Sequence, residues 1–131
     1  MKLKTLFIIN AIVAIVFGVL FVLIPAQVHS LYGHGTGEAM GALNYMGQLF
    51  GAALIGIGLV TWTARNSANS DARQAIVYAM FVADGIGFVV TLIGQINNVV
   101  NTLGWTTVAI YLLLALGFGY FKFSKTNSSE S

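Results

Sequence analysis

The sequence predicts an all-α integral membrane protein, a four-helix bundle of up-down topology with both termini in the cytoplasm. Three observations predict this class. Of the 131 residues, 57% are hydrophobic and 8% are charged, whereas about a quarter of a soluble domain is charged. Four stretches are long and apolar enough to cross a bilayer. The Lys and Arg residues lie at or beyond the ends of those stretches. We expect one domain, residues 1–125, and a flexible cytoplasmic tail, residues 126–131.

The first two spans are predicted at residues 5–25 and 42–63. The first apolar run is longer than the core of a signal peptide, which has about 7–15 residues, so we expect a retained helix. Pro25 should end this helix near Ile24, because the residue before a proline avoids helical geometry. Residues 27–42 are polar and rich in glycine, which predicts the longest loop outside the membrane.

The last two spans are predicted at residues 74–95 and 103–122. Ser70 is the expected N-cap of the third span, since a serine hydroxyl can accept from the free backbone N–H groups of the first turn. Residues 96–102 form a short polar connection between the two spans.

The basic residues predict the orientation of the bundle. All of them fall on the side that would hold the termini and the turn between the second and third spans, and the positive-inside rule makes that side cytoplasmic. Their scatter excludes a nucleic-acid-binding surface, and the absence of cysteine excludes disulfides within this chain. We expect a protein of the plasma (inner) membrane, in contact with the lipid bilayer. The basic residues are Lys2, Lys4, Arg65, Arg73, Lys122 and Lys125.

Asp84 is the main functional candidate, because it lies near the middle of the third span. A carboxylate at that depth is costly and usually faces the protein interior. Thr91 and Gln95 follow seven and eleven residues later on the same helix face. Tyr111, on the fourth span, should lie within about one turn of the same depth, which makes it the expected hydrogen-bond partner of Asp84. These four residues form the predicted intramembrane polar site.

Two interpretations of Asp84 stay open. The predicted spans contain no Lys, Arg or His that would pair with it, so a neutral acid could join two helices through a hydrogen bond. Alternatively, Asp84 titrates as a proton site or contacts a ligand. Asn10 and Gln48, in the first two spans, are expected to satisfy local needs near opposite interfaces.

Small residues at a spacing of four mark candidate helix-packing faces, because they let two helix backbones approach closely. Glycine and alanine are also common in membrane helices, which is the alternative explanation of the same pattern. The candidates on the second and third spans are Gly47, Gly51, Gly56, Ala79, Ala83 and Gly87.

No catalytic or metal site is predicted. His29, His34 and Glu38 are weak candidates for metal ligands, since nothing in their glycine-rich segment fixes a ligand geometry. The string GHGTG at Gly33–Gly37 lacks the strand or the Lys-Ser/Thr pair of phosphate-binding loops. We therefore lean towards a protein without enzymatic activity and predict no cofactor, with a bound lipid or quinone as the alternative.

The layout resembles the small four-helix membrane proteins of the DoxX-like families. The matching features are the basic start MKLKTLF, the closing Pro25, the span GQLFGAALIGIGLVTW and the end YLLLALGFGYFKF. The resemblance implies an uncharacterised membrane protein or, as in some DoxX-like proteins, a role linked to quinones and sulfur oxidation. No catalytic residue of those families matches a position in this chain.

The predicted function is that of a non-catalytic structural or accessory subunit, packed against a larger membrane complex or against further copies of the chain. Small size, short loops and the lack of a catalytic constellation favour this prediction. The alternatives are a small binding or transport protein that holds a proton, quinone or lipid near Asp84, and a DoxX-like redox-associated subunit.

Overall fold

The computed structural model describes residues 1–34 and 40–124, and every regular element in these residues is a helix. Four of the helices are long and apolar enough to cross a membrane, which confirms the predicted all-helical class and the four candidate spans. The helices are α1 (Leu3–Leu23), α2 (Pro25–Leu31), α3 (Met40–Ala64), α4 (Asp71–Ile96) and α5 (Gly104–Phe123).

The short helix α2 replaces the first part of the predicted loop at residues 27–42. The chain leaves helical geometry at Ile24, with φ −135° and ψ 54°, and Pro25 then occupies the first turn of α2. Proline suits that position, because its missing N–H would lack a helical partner anyway. The predicted end of α1 before Pro25 is therefore confirmed, whereas the pattern did not predict the helix that Pro25 begins.

The start of α4 follows the predicted capping. The Ser70 hydroxyl accepts from the backbone N–H of Arg73 at 3.2 Å, and Asp71 lies in the first turn. An acidic residue there interacts favourably with the positive end of the helix dipole.

The four long helices pack as two pairs, α1 with α3 and α4 with α5. Close backbone approach defines the first pair: a methyl group on Gly51 would lie 2.6 Å from the carbonyl oxygen of Gly18. Further along, a methyl group on Gly58 would lie 3.1 Å from the carbonyl oxygen of Ala11. No comparable packing joins α3 to α4.

A cluster of apolar side chains joins the two pairs at the end of the bundle that holds the start of α1 and the end of α5. The rings of Phe7 and Phe118 are 6.1 Å apart at its centre. Because these side chains are buried against one another, the two helix pairs are tightly packed at this end. The buried members of this terminal core are Leu3, Leu6, Phe7, Val77, Met80, Leu114, Phe118 and Phe121.

Candidate functional site

A cavity of about 800 Å³ lies between the two helix pairs, above the terminal core. Its volume falls within the range of about 300–1,000 Å³ that is typical of small-molecule sites. Most of its wall is apolar and comes from residues such as Phe17, Leu54 and Ile110. The polar residues on the wall are Asn10, His29, Tyr32, His34, Asp84, Thr91, Thr107 and Tyr111.

Asp84 is buried on the wall of this cavity, with 7% of its surface exposed. Its Oδ2 atom has no hydrogen-bond partner among the described residues. Helix α4 brings it there because Met80, Asp84, Gly87 and Thr91 recur at helical spacing and line the same space. The acid therefore faces the interior of the bundle, as the sequence indicated.

Tyr111 lies on the wall next to Asp84, but no hydrogen bond joins the two side chains within the part of the chain that the structure describes. The Tyr111 ring instead packs against Gly87, so closely that a methyl group on this glycine would overlap it. Gly87 lies three residues beyond Asp84 on α4, and the ring uses the space that the missing side chain leaves. The predicted pair shares a site without the predicted bond.

Of the other two residues of the predicted polar site, Thr91 lines the cavity and Gln95 does not. Thr91 lines the cavity, and its hydroxyl donates to a backbone carbonyl of its own helix, Gly87 at 2.8 Å or Phe88 at 3.1 Å. Gln95 does not line the cavity; its Nε2 atom donates to the carbonyl oxygen of Asn101 at 3.1 Å and holds the loop after α4.

Three of the predicted packing glycines lie against a neighbouring element. A methyl group on Gly47 would lie 2.8 Å from Nε2 of His29, and one on Gly51 would meet α1. Gly87 contacts the Tyr111 ring of α5. These positions need a residue without a side chain, because the neighbour occupies the space.

The remaining three candidates do not pack against another described helix. Gly56 has open space around it, with no described atom of another helix within 4 Å of an added methyl group, and Ala79 is exposed. Ala83 is exposed and lines the cavity. The spacing rule selected these residues because it cannot tell which face of a helix meets a neighbour.

Asn10 has a larger role than the local one expected from the sequence. Its Nδ2 atom donates to Oγ1 of Thr61 at 3.3 Å and lies 3.8 Å from Sδ of Met80, so it connects α1 with α3 and α4 at the base of the cavity. A single amide in an otherwise apolar helix was the signal that could have identified it. Gln48 also reaches another helix, where its Nε2 atom donates to the carbonyl oxygen of Val22 at 3.1 Å.

The opposite end of the cavity is closed by hydrogen bonds between α2 and the start of α5. The hydroxyl groups of Tyr32 and Thr107 are 2.7 Å apart. Asn101 donates its backbone N–H to the carbonyl oxygen of Tyr32 at 3.0 Å and its Nδ2 to that of Leu31 at 2.9 Å. The terminal core and these hydrogen bonds thus lie at opposite ends of the cavity.

The two histidines lie near this closed end. His29 donates through Nε2 to the carbonyl oxygen of Leu43 at 3.2 Å, and its ring centroid is 5.9 Å from that of His34. Burial lowers the pKa of His29. The hydrogen bond to the Leu43 carbonyl raises this pKa in part, and the charge of the nearby His34 lowers it further. No group of three metal-ligating residues is present among the described residues, and the third weak candidate, Glu38, lies outside them.

The chain was compared with family models, curated proteins and solved structures. The sequence model of the family described as Domain of unknown function (DUF8292) matches residues 2–127. No curated protein and no solved structure matches the chain significantly.

Proposed function

We propose a binding function for this chain, which belongs to the family of the Domain of unknown function (DUF8292). In this proposal, the cavity between the helix pairs holds a lipophilic molecule with a polar group, such as a lipid or a quinone. The helices α1, α3, α4 and α5 cross the plasma (inner) membrane in up-down order, with both termini cytoplasmic. The positions of the basic residues support this orientation.

One observation carries the proposal: a buried carboxylate oxygen without a partner, on the wall of an apolar cavity of ligand size. The Oδ2 atom of Asp84 is buried and makes no hydrogen bond to the described residues. A buried polar group without a partner is destabilising, so natural proteins rarely retain one without a role. A ligand with a polar group beside Asp84 would supply the missing interaction.

The gap between α3 and α4 offers a route from the bilayer to the cavity. These two helices belong to different pairs and do not pack against each other as the helices within each pair do. Met46 and Phe50 on α3 and Val90 on α4 belong to the cavity wall and are also exposed at the surface. A lipophilic molecule could therefore enter sideways, without crossing either closed end.

Filling the cavity tests this proposal. Gly94 lines the cavity, and a methyl group there would meet only Cβ of Val99, at 3.9 Å. The substitution Gly94→Phe should therefore place a ring in the cavity while the fold is kept. Gly85→Phe is the matched control, because this glycine lies on the same helix with open space around it and does not line the cavity.

The full chain and both variants would be purified in a mild nonionic detergent, and bound lipids and quinones would be identified by native mass spectrometry. We expect bound molecules on the unaltered chain and on Gly85→Phe, and a several-fold loss on Gly94→Phe. Equal retention by the two variants, or no bound molecule on any of the three, would overturn the proposal.

Two predictions from the sequence stay predictions. One is the role of an accessory subunit in a larger membrane complex or a homo-oligomer. The other is the redox association implied by the resemblance to DoxX-like proteins. Co-migration with larger subunits after purification in mild detergent would support the first of them.

A further inference from the structure

Near Asp84, the cavity wall carries an acidic side chain without a basic side chain to balance it. Asp84 is the only carboxylate among the described wall residues, no Lys or Arg is among them, and the two histidines of the wall, His29 and His34, lie near the end formed by α2 and the start of α5. When Asp84 is ionised, an anionic head group placed at this depth would meet a carboxylate and no cation, which is unfavourable in a medium of low dielectric constant. The wall therefore selects against anionic ligands such as fatty acids.

Hydrogen-bond donors on the wall are mostly engaged already. The Asn10 amide donates to Thr61, and the Thr91 hydroxyl donates to its own helix. The Tyr32 hydroxyl is paired with that of Thr107. Among the buried side-chain atoms of the described wall residues, the one left without a partner is Oδ2 of Asp84, which is an acceptor when the acid is ionised. A ligand that brings a positive charge fits this site better than one that brings only acceptors.

Aromatic rings surround the same space. Phe17, Phe21, Phe50, Tyr32 and Tyr111 all line the cavity. Aromatic faces attract cations, most strongly where water is excluded, and together with a carboxylate they are typical of sites for quaternary ammonium groups. The rings thus favour the same charge as Asp84 does.

We propose that the cavity binds lipophilic cations, namely amines, quaternary ammonium ions or phosphonium ions with bulky apolar substituents. The positive centre lies beside Asp84, and the substituents pack against the aromatic and aliphatic wall. This inference rests on the proposed binding function and specifies the class of ligand.

Two ions of nearly the same shape and opposite charge test the inference directly. Tetraphenylphosphonium and tetraphenylborate differ mainly in the sign of their charge, so a comparison of their affinities isolates electrostatics from size. Binding of each ion to the full chain in a nonionic detergent would be measured by equilibrium dialysis, with empty micelles as the blank. We expect the cation to bind at least about tenfold more tightly than the anion.

Two variants assign the preference to one side chain. Asp84→Asn keeps the size of the side chain and removes its charge, and should bring the affinity ratio close to one. Asp71→Asn is the matched control, because Asp71 is an exposed acid in the first turn of the same helix, and should leave the ratio unchanged. Asp84→Asn is used only if it folds, as judged by circular dichroism and gel filtration. If it does not fold, the comparison of tetraphenylphosphonium with tetraphenylborate on the unaltered chain still tests the inference.

Equal or tighter binding of the borate ion, or a preference for the cation that survives in folded Asp84→Asn, would overturn the inference. A neutral quinone, decylubiquinone, separates this failure from that of the proposed function. If the quinone binds and Gly94→Phe abolishes its binding, while the two ions bind equally, the cavity is a binding site but not one for cations. If neither the ions nor the quinone binds, and no lipid co-purifies, both proposals fail.

Discussion

The substitution Gly51→Ala should destabilise the bundle, whereas Gly56→Ala should stabilise it slightly. Both glycines lie in α3 and differ in what faces them. A methyl group on Gly51 would lie 2.6 Å from the carbonyl oxygen of Gly18 and 2.9 Å from Cβ of Phe21, whereas none of the described atoms lies within 4 Å of one on Gly56. Because the closest atom belongs to the backbone of α1, it cannot rotate away, and the two helices must separate.

The size of the effect follows from two opposing contributions. Replacing glycine with alanine in a helix favours folding by about 1 kcal/mol, and this gain applies at both positions. Overpacking a tight contact costs about 1–3 kcal/mol, and this penalty applies only at Gly51. The difference between the two variants therefore isolates the penalty, and we expect Gly51→Ala to be less stable than Gly56→Ala by about 1–3 kcal/mol.

Unfolding in mixed micelles of a mild detergent and increasing sodium dodecyl sulfate, followed by circular dichroism, would measure this difference. Each variant should be compared with the unaltered chain at the same protein concentration, so that self-association does not enter the comparison. Equal free energies of unfolding for Gly51→Ala and Gly56→Ala would refute the reasoning, because they would mean that α1 and α3 are not in backbone contact.

Three further predictions concern polar groups around the cavity. Tyr32→Phe removes the 2.7 Å hydrogen bond to Thr107 and should lower the free energy of unfolding by about 0.5–1.5 kcal/mol in the same titration; no change would show that the bond does not hold the end closed. Asn10→Ala removes the amide that connects three helices and should lower the free energy of unfolding by about 1–3 kcal/mol. An unchanged free energy of unfolding would contradict this prediction. Burial keeps the pKa of His29 below 6.5, so the unfolded chain binds more protons just below this pH, and thermal stability should fall as the pH drops through 6.5. The fall should shrink in His29→Gln and persist in His34→Gln; a stability without pH dependence would contradict this assignment.

The sequence was sufficient for the helical class and the four candidate spans, since four of the described helices are long and apolar enough to cross a membrane. Long apolar runs separated by polar segments identify membrane helices reliably, because backbone groups in lipid must be satisfied within the helix. The same physics placed Asp84 inside, since a carboxylate facing acyl chains is strongly disfavoured.

Partners of individual side chains could not be predicted in the same way. Depth along the membrane normal placed Tyr111 near Asp84, but the rotation of α5 about its axis decides whether the two atoms meet. Packing of the Tyr111 ring against Gly87 sets that rotation. The hydrogen bond from the Gln95 side chain to the Asn101 carbonyl likewise depends on the path of the loop after α4. The spacing of residues along a helix does not predict the path of a loop.

The cavity itself follows from an unequal distribution of small residues over the faces of the helices. On α3, Gly47 and Gly51 face α1 and α2, and on α4, Gly87 faces α5, so these glycines serve packing within each helix pair. The facing edges of α3 and α4 instead carry larger side chains such as Phe50 and Val90. Lipid offers no hydrophobic force that would press these edges together, so the gap remains open to acyl chains. In the proposed binding function, a specific ligand would therefore have to compete with lipid tails, which fill apolar space equally well. Apolar contact would not provide that preference, and in our proposal the carboxyl group of Asp84 is the wall group that would distinguish one lipophilic molecule from another.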